Sequence, residues 1–225
     1  MLKIIFRLNM ILFLIAIAIL VGSCVTTTRS IQRTPGADPF DFIRTNGTNK
    51  HPTVIRLHNI DDRFFCTGAV IDGQYALTAA HCVTDSLGTM KTENIKIHDA
   101  YGNYITDALP IAIDKYLDVA FIKGAFEDFE VKEVDFAGKH SFLGMHLLSC
   151  GFPAGQFDLY CTELIHVGNY YFQYNTIGGP IYHGMSGGPV IETVSGAIVG
   201  VNSAVDDNSV VISPLIGALE STGLN

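Results

Sequence analysis

"GPIYHGMSGGPVIE", residues 179–192, sets Ser186 between Gly184-Met185 and Gly187-Gly188, with Pro189 and a short apolar run after it. Glycines on both sides allow backbone conformations that are costly for other residues. A serine on such a turn, at the head of a strand, is well presented as a nucleophile. Serine and glycine are also ordinary loop material. Chemistry at Ser186 therefore requires a base, a group that orients the base, and an oxyanion site from elsewhere in the chain.

The chain has eight histidines: His51, His58, His81, His98, His140, His146, His166 and His183. Most histidines in proteins do no catalysis, and packaging singles out His81. It lies in "LTAAHC", residues 77–82, where Ala79 and Ala80 permit close backbone approach and Cys82 can pin the strand end to Cys66. An imidazole held still in this way suits a general base. The orienting group is sought among carboxylates that interrupt apolar strands, because a buried carboxylate must be paired or hydrogen-bonded. Asp118 in "KYLDVAFIK", residues 115–123, fits, with Asp114 as its rival. The Val-Ala-Phe-Ile run directly after Asp118 favours Asp118.

Taken together, "TAAHC", "LDVAFI" and "GMSGGP", in that order, resemble the trypsin-like serine proteases over residues 52–220. The resemblance implies an all-β fold of two six-stranded antiparallel β-barrels with the site between them. It implies a catalytic His81, Asp118 and Ser186, and an oxyanion hole from the backbone N–H groups of Gly184 and Ser186. "FFCTGAVI" resembles the strand that carries the disulfide partner of the cysteine after the histidine. "GAIVGVNSA" resembles the strand that lines the substrate cleft.

The chain also departs from that pattern. Many animal members carry an aspartate just before the serine, which pairs with an N-terminus released on zymogen cleavage. Met185 stands there and cannot make such a pair, so activation of that kind is not expected. Packing of Met185 is expected to order the oxyanion loop instead. In this respect the chain is similar to the bacterial glutamyl endopeptidase-like branch. In the substrate cleft, Pro180 occupies the place where an acid would select Lys or Arg. Asn202 falls where glutamate-specific relatives carry a histidine. Ser203 falls where a residue backs the catalytic aspartate and binds substrate backbone. His183 is either a substrate contact or a loop residue without a role.

Composition bounds the rest. The 225 residues are 48% apolar and 16% charged, which supports a packed core. Net charge is −8, which argues against nucleic acid, since phosphate binding needs a basic face. Outside residues 1–24 no long helical periodicity occurs. Short strand-like runs with turns every ~8–12 residues indicate a sandwich or barrel. Asp72-Gly73 and Tyr101-Gly102-Asn103 read as turns, and Pro214–Leu219 as a short closing helix. The polar, acidic stretch 124–142 reads as the crossover between halves.

Lys3 and Arg7 precede an apolar run from Leu8 to Val21, which is short for a membrane span of about 20 residues. Val21-Gly22-Ser23-Cys24 resembles a bacterial lipobox. That resemblance implies a signal peptide over 1–23 and a lipidated Cys24 as mature N-terminus. Residues 24–50 then serve as a tether, 51–135 as the first barrel and 136–225 as the second. Val25, which is not an aspartate, resembles the residue after the lipid cysteine in Gram-negative lipoproteins, and that resemblance implies outer-membrane delivery where the host has an outer membrane. The expected location is the periplasmic or cell-surface side of a bacterial membrane, held there by lipid; the alternatives are secretion, if residues 1–23 are an ordinary signal peptide and Cys24 a chance cysteine, or an uncleaved anchor.

Four cysteines remain after Cys24: Cys66, Cys82, Cys150 and Cys161. An even number in an exported chain suggests two disulfides. Three pairings are possible, and 66–82 with 150–161 is the simplest. Each closes a short loop worth about 3 kcal/mol in the chain-entropy model. No C-x-x-C pair is present, and Gly178-Gly179-Pro180 lacks the Lys-Ser/Thr ending of a phosphate loop. No cofactor or metal is therefore expected. Three readings stand: a serine endopeptidase acting on proteins or peptides, a protease-fold scaffold lipoprotein with weak activity, and an unrelated β-sandwich lipoprotein.

Overall fold

In the computed structural model the described residues are 50–85, 87–91, 93–136, 146–155, 158–166, 173–176, 179–206, 209–215 and 217–224. The expected signal peptide, Cys24 and nearly all of the tether lie outside them, as do residues 137–145 around the expected crossover.

The β-branched and aromatic runs of the first half become six strands: β1 (Val54–His58), β2 (Phe64–Val70), β3 (Tyr75–Ala79), β4 (Ile95–His98), β5 (Tyr104–Asp114) and β6 (Val119–Lys123). They pair antiparallel in the order β1–β2–β3–β6–β5–β4. β4 returns to β1, with Arg56 opposite His98 and Leu57 opposite Ile97, which closes a barrel. The turns rest on carboxylates. Asp72 Oδ1 accepts from the backbone N–H of Gln74 and Tyr75, at 2.7 Å each, and so shapes the β2–β3 hairpin. Asp99 does the same for Tyr101 and Asn103 between β4 and β5. After β3 the chain makes one helical turn, α1 (Ala80–Val83), that carries His81.

The second half forms another antiparallel sheet: β7 (Leu147–Gly151), β8 (Tyr160–His166), β9 (Gln173–Thr176), β10 (Pro189–Glu192), β11 (Ile198–Asp206) and β12 (Ser209–Pro214). Its order is β10–β11–β12–β9–β8–β7, and β7 also pairs with β10. The chain ends in α2 (Ala218–Thr222). The expected helix over 214–219 is thus displaced. Pro214 is the last residue of β12, opposite Gly200. The apolar run stays extended because it completes the ladder with β11. The helix starts only after Gly217, at φ 76, reverses the backbone.

One apolar cluster joins the sheets, with Val54, Leu77 and Phe121 from the first and Phe152, Ile198 and Val201 from the second. The disulfides join neighbouring cysteines, Cys66–Cys82 and Cys150–Cys161. The first ties β2 to α1, and the second links facing positions of β7 and β8. Among the described residues no helix is long and apolar enough to cross a membrane.

Candidate active site

α1 presents His81 at the rim of the first barrel, with its side chain 48% exposed. The turn before β6 presents Asp118. Asp114, the rival carboxylate, builds that turn: its Oδ1 accepts from the backbone N–H of Tyr116 and Leu117 at 2.8 and 2.9 Å. Asp114 is therefore used locally. Asp118 itself sits at φ 52, a left-handed conformation that aspartate tolerates better than most residues.

Three donors converge on the Asp118 carboxylate. Its Oδ1 accepts from the His81 backbone N–H at 2.9 Å, and its Oδ2 lies 2.8 Å from His81 Nδ1. The Ser203 hydroxyl donates to the same Oδ2 at 2.5 Å. Burial pushes the Asp118 carboxyl up. The hydrogen bonds from His81 and Ser203, with the charge of His81, outweigh burial and hold it below the ordinary aspartate value. With Nδ1 committed to Asp118, Nε2 is the ring nitrogen left to exchange a proton.

Ser186 reaches the site from the other sheet, on the loop before β10. Gly184 has φ 95, and a side chain there would meet the Phe152 carbonyl and the Phe64 ring at 2.7 Å. Gly187 has φ 77, and a Cβ on it would collide with the Thr78 hydroxyl and the Thr67 carbonyl. These two positions admit only glycine without rearrangement. Among the described residues, the N–H groups of Gly184 and Ser186 donate to no protein acceptor. Two donors with no partner beside a serine can bind a developing oxyanion.

Thr67, on β2, holds this loop, and sequence reasoning missed it. Its hydroxyl donates to the Gly184 carbonyl at 2.7 Å and accepts from the Phe152 N–H at 3.1 Å. Its own N–H donates to the Ser186 carbonyl at 2.9 Å. The same Ser186 carbonyl lies 3.9 Å from Cys82 Sγ, one residue from His81. The disulfide and Thr67 thus bring the His81 turn and the Ser186 loop to one place. The only signal in the sequence is the position of Thr67 next to Cys66.

Other expected cleft residues divide. Ser203 faces Asp118, and Pro180 is exposed on the approach to the loop. Asn202 does not line a cleft. It is 2% exposed, and its side chain bonds to Ser149 Oγ at 2.6 Å and to the carbonyls of Cys150 and Met185 at 3.1 and 3.2 Å. Neighbouring residues on a strand face opposite ways, so Ser203 in the site places Asn202 beneath it. There Asn202 braces the loop, its own carbonyl accepting from Gly187 N–H at 2.7 Å. His183 is exposed, and its carbonyl accepts from the Ala154 N–H at 2.6 Å.

The family described as "Trypsin-like peptidase domain" matches residues 66–201, the span from the β2 cysteine through the Ser186 loop. The chain belongs to the trypsin-like peptidase domain family. No curated protein matches it. Among solved structures, the serine endoprotease from Yersinia pestis is similar with TM-score 0.58 and 21% identity, over 76% of this chain and 61% of that one. The chain therefore spans about three-fifths of that protein. The Rv3671c protease, in an inactive form, is similar with TM-score 0.56 and 17% identity, over 77% of this chain and 90% of that one. These likenesses concern the fold. Membership of a peptidase family implies protein or peptide substrates.

Two outcomes are expected from this geometry. Thr67→Val keeps the shape of the side chain but strands the Gly184 carbonyl and the Phe152 N–H, each at a cost of about 1–3 kcal/mol. Thermal unfolding should show a lower Tm, and Ser186 should react more slowly with an active-site-directed reagent. An unchanged Tm and reaction rate would exclude Thr67 as the brace. Separately, the lowered folded-state pKa of Asp118 contributes stability above the ordinary aspartate range. That stability is lost as pH falls through the lowered value. Denaturant unfolding followed as pH falls through and below the ordinary aspartate range should show this fall, and Asp118→Asn should flatten it.

Proposed function

We propose that the chain is a serine endopeptidase working through an acyl-enzyme, with Ser186 as nucleophile, His81 as general base and acid, and Asp118 as orienting carboxylate. The observation that carries this is the Asp118 carboxylate, which holds His81 through both backbone and ring, is itself held by Ser203, and leaves Nε2 for the serine. Ser186 Oγ attacks the scissile carbonyl and His81 Nε2 takes its proton. The oxyanion is met by the N–H groups of Gly184 and Ser186, and the proton passes to the leaving amine. Water then hydrolyses the ester through the same base. In this reading the second sheet, whose order returns from β7 to β10, is the second barrel of the chymotrypsin-like architecture.

The reading includes a site that forms without N-terminal zymogen cleavage, as in the glutamyl endopeptidase-like branch. Support comes from Met185, which is fully buried among Leu147, Ile181 and Val190 beneath the loop. Packing there takes the place of an ion pair. The reading also includes export and a lipid anchor at Cys24, resting on the lipobox-like end of the first 24 residues.

A fluorophosphonate probe applied to the oxidised protein should label wild type and fail on Ser186→Ala and His81→Ala. A folded wild type that stays unlabelled would overturn the proposal. Met185→Asp, which places a carboxylate in an apolar cluster, should abolish labelling, while Met185→Leu should retain it. Full labelling of Met185→Asp would remove Met185 from its proposed role.

A further inference from the structure

Among the described residues the largest fully buried side chain is a cation: Arg56, on β1, is 1% exposed. Its strand neighbours Ile55 and Leu57 are apolar, and a guanidinium in such surroundings is costly to bury without compensation. Arg56 takes no part in the proton transfers of the triad. It stands opposite Thr67 on β2, so the two side chains leave the same face of the first barrel. That face meets the second sheet at Phe152, directly after β7. The Thr67 hydroxyl accepts from the Phe152 N–H, and Arg56 Cζ lies 4.1 Å from the centre of the Phe152 ring. One residue is thus gripped at its backbone and at its ring by neighbours on adjacent strands. A cation over an aromatic face is held more firmly when both are out of water, and Phe152 is fully buried too. Burial pushes the Arg56 pKa down, and the carboxylates of Asp99 and Asp158 push it back up.

Phe152 opens the corner that aims the backbone at Gly184. Two residues on, the Ala154 N–H donates to the His183 carbonyl at 2.6 Å. That carbonyl and the Gly184 N–H belong to one peptide group. The group is planar and trans, so the two point in opposite directions. Pinning the carbonyl therefore aims the N–H. Ala154 holds φ 47, a left-handed conformation that is unfavourable for alanine and persists only where its surroundings impose it. Ala154 itself is exposed, while Phe152 and Pro153 are buried, so the packing that imposes it lies on the Phe152 side. The Phe152 carbonyl also bounds Gly184 directly, 2.7 Å from where a Cβ would sit.

We propose that Arg56 is a positioning residue for the oxyanion hole: its guanidinium fixes the Phe152 ring, and the corner from Phe152 to Ala154 fixes the peptide that presents the Gly184 N–H. This role rests on the reading of Gly184 as an oxyanion donor. The oxyanion exists only in the transition state and the intermediate that follows it. A donor aimed at it therefore speeds the chemical step and leaves capture of the reactant unchanged. Thr67 holds the carbonyl of Gly184, and Arg56 acts on the peptide before it. Both ends of the glycine are thus set from the first barrel.

The test is single-turnover acylation of the full, oxidised chain by a p-nitrophenyl ester, well below the Tm. It gives a maximal acylation rate and a half-saturating concentration separately, and a fluorophosphonate counts the active sites. Arg56→Met, which keeps the bulk and removes the charge, should lower the maximal rate about tenfold with half-saturation and site count unchanged. Phe152→Leu should show the same signature. The double variant should be little slower than either single one, since both act through one ring. An Arg56→Met rate within about twofold of wild type would overturn the role. So would a loss confined to half-saturation or to the site count, or a double variant slowed by the product of the single effects. Should Arg56→Met not fold, Phe152→Leu decides alone, and a wild-type maximal rate in it overturns the role. Failure of the catalytic reading looks different: wild type itself is neither acylated nor labelled, and the role of Arg56 falls with it.

Discussion

One hydroxyl group joins the two halves of this molecule at the point where chemistry is possible. Thr67 belongs to the first barrel, yet its side chain closes a hydrogen-bonded bridge between the Gly184 carbonyl and the Phe152 N–H of the second sheet. The Thr78 hydroxyl donates to the Thr67 carbonyl at 2.8 Å, so the brace is itself braced. Gly187 lacks a side chain because this contact leaves no room for one. The conformation of the 184–188 loop thus reflects a fit to the opposite barrel, reinforced from below by Asn202 and Met185.

The same economy operates at Asp118. A carboxylate that is partly removed from water would favour its protonated form, and three donors reverse that preference. Two of those donors belong to His81, which locks the ring and the backbone turn together. The third comes from Ser203 on the second sheet. Each half therefore braces a segment of the other: Thr67 of the first barrel holds the Ser186 loop, and Ser203 of the second sheet holds Asp118.

Much of this arrangement was legible in the sequence because the motifs around His81, Asp118 and Ser186 combine a reactive residue with its local scaffold. The alanines before His81, the apolar strand after Asp118 and the glycines around Ser186 are each needed for close approach. The turns at Asp72-Gly73 and Tyr101-Gly102-Asn103 were readable for the same reason, since turn chemistry is local, although the part Asp99 plays in the second was not. What escaped the sequence depends on which face of a strand a residue occupies and on what crosses from the other sheet. Asn202 and Ser203 are adjacent in sequence, but strand alternation sends one under the loop and the other into the site. Thr67 has no motif of its own. The apolar run ending at Pro214 could not show that a neighbouring strand would hold it extended and delay the helix to Ala218. Asp62 and His98 are 36 residues apart and meet only because β4 returns to β1.

The cross-sheet brace also orders events during folding. A chain that has formed only its first barrel has Thr67 but no loop for it to hold. A chain that has formed only the second sheet has the loop without the wall that shapes Gly184 and Gly187. The serine loop therefore reaches its final geometry after both halves have formed and docked. A chain still being synthesised, with its second half unmade, therefore lacks the shaped serine loop.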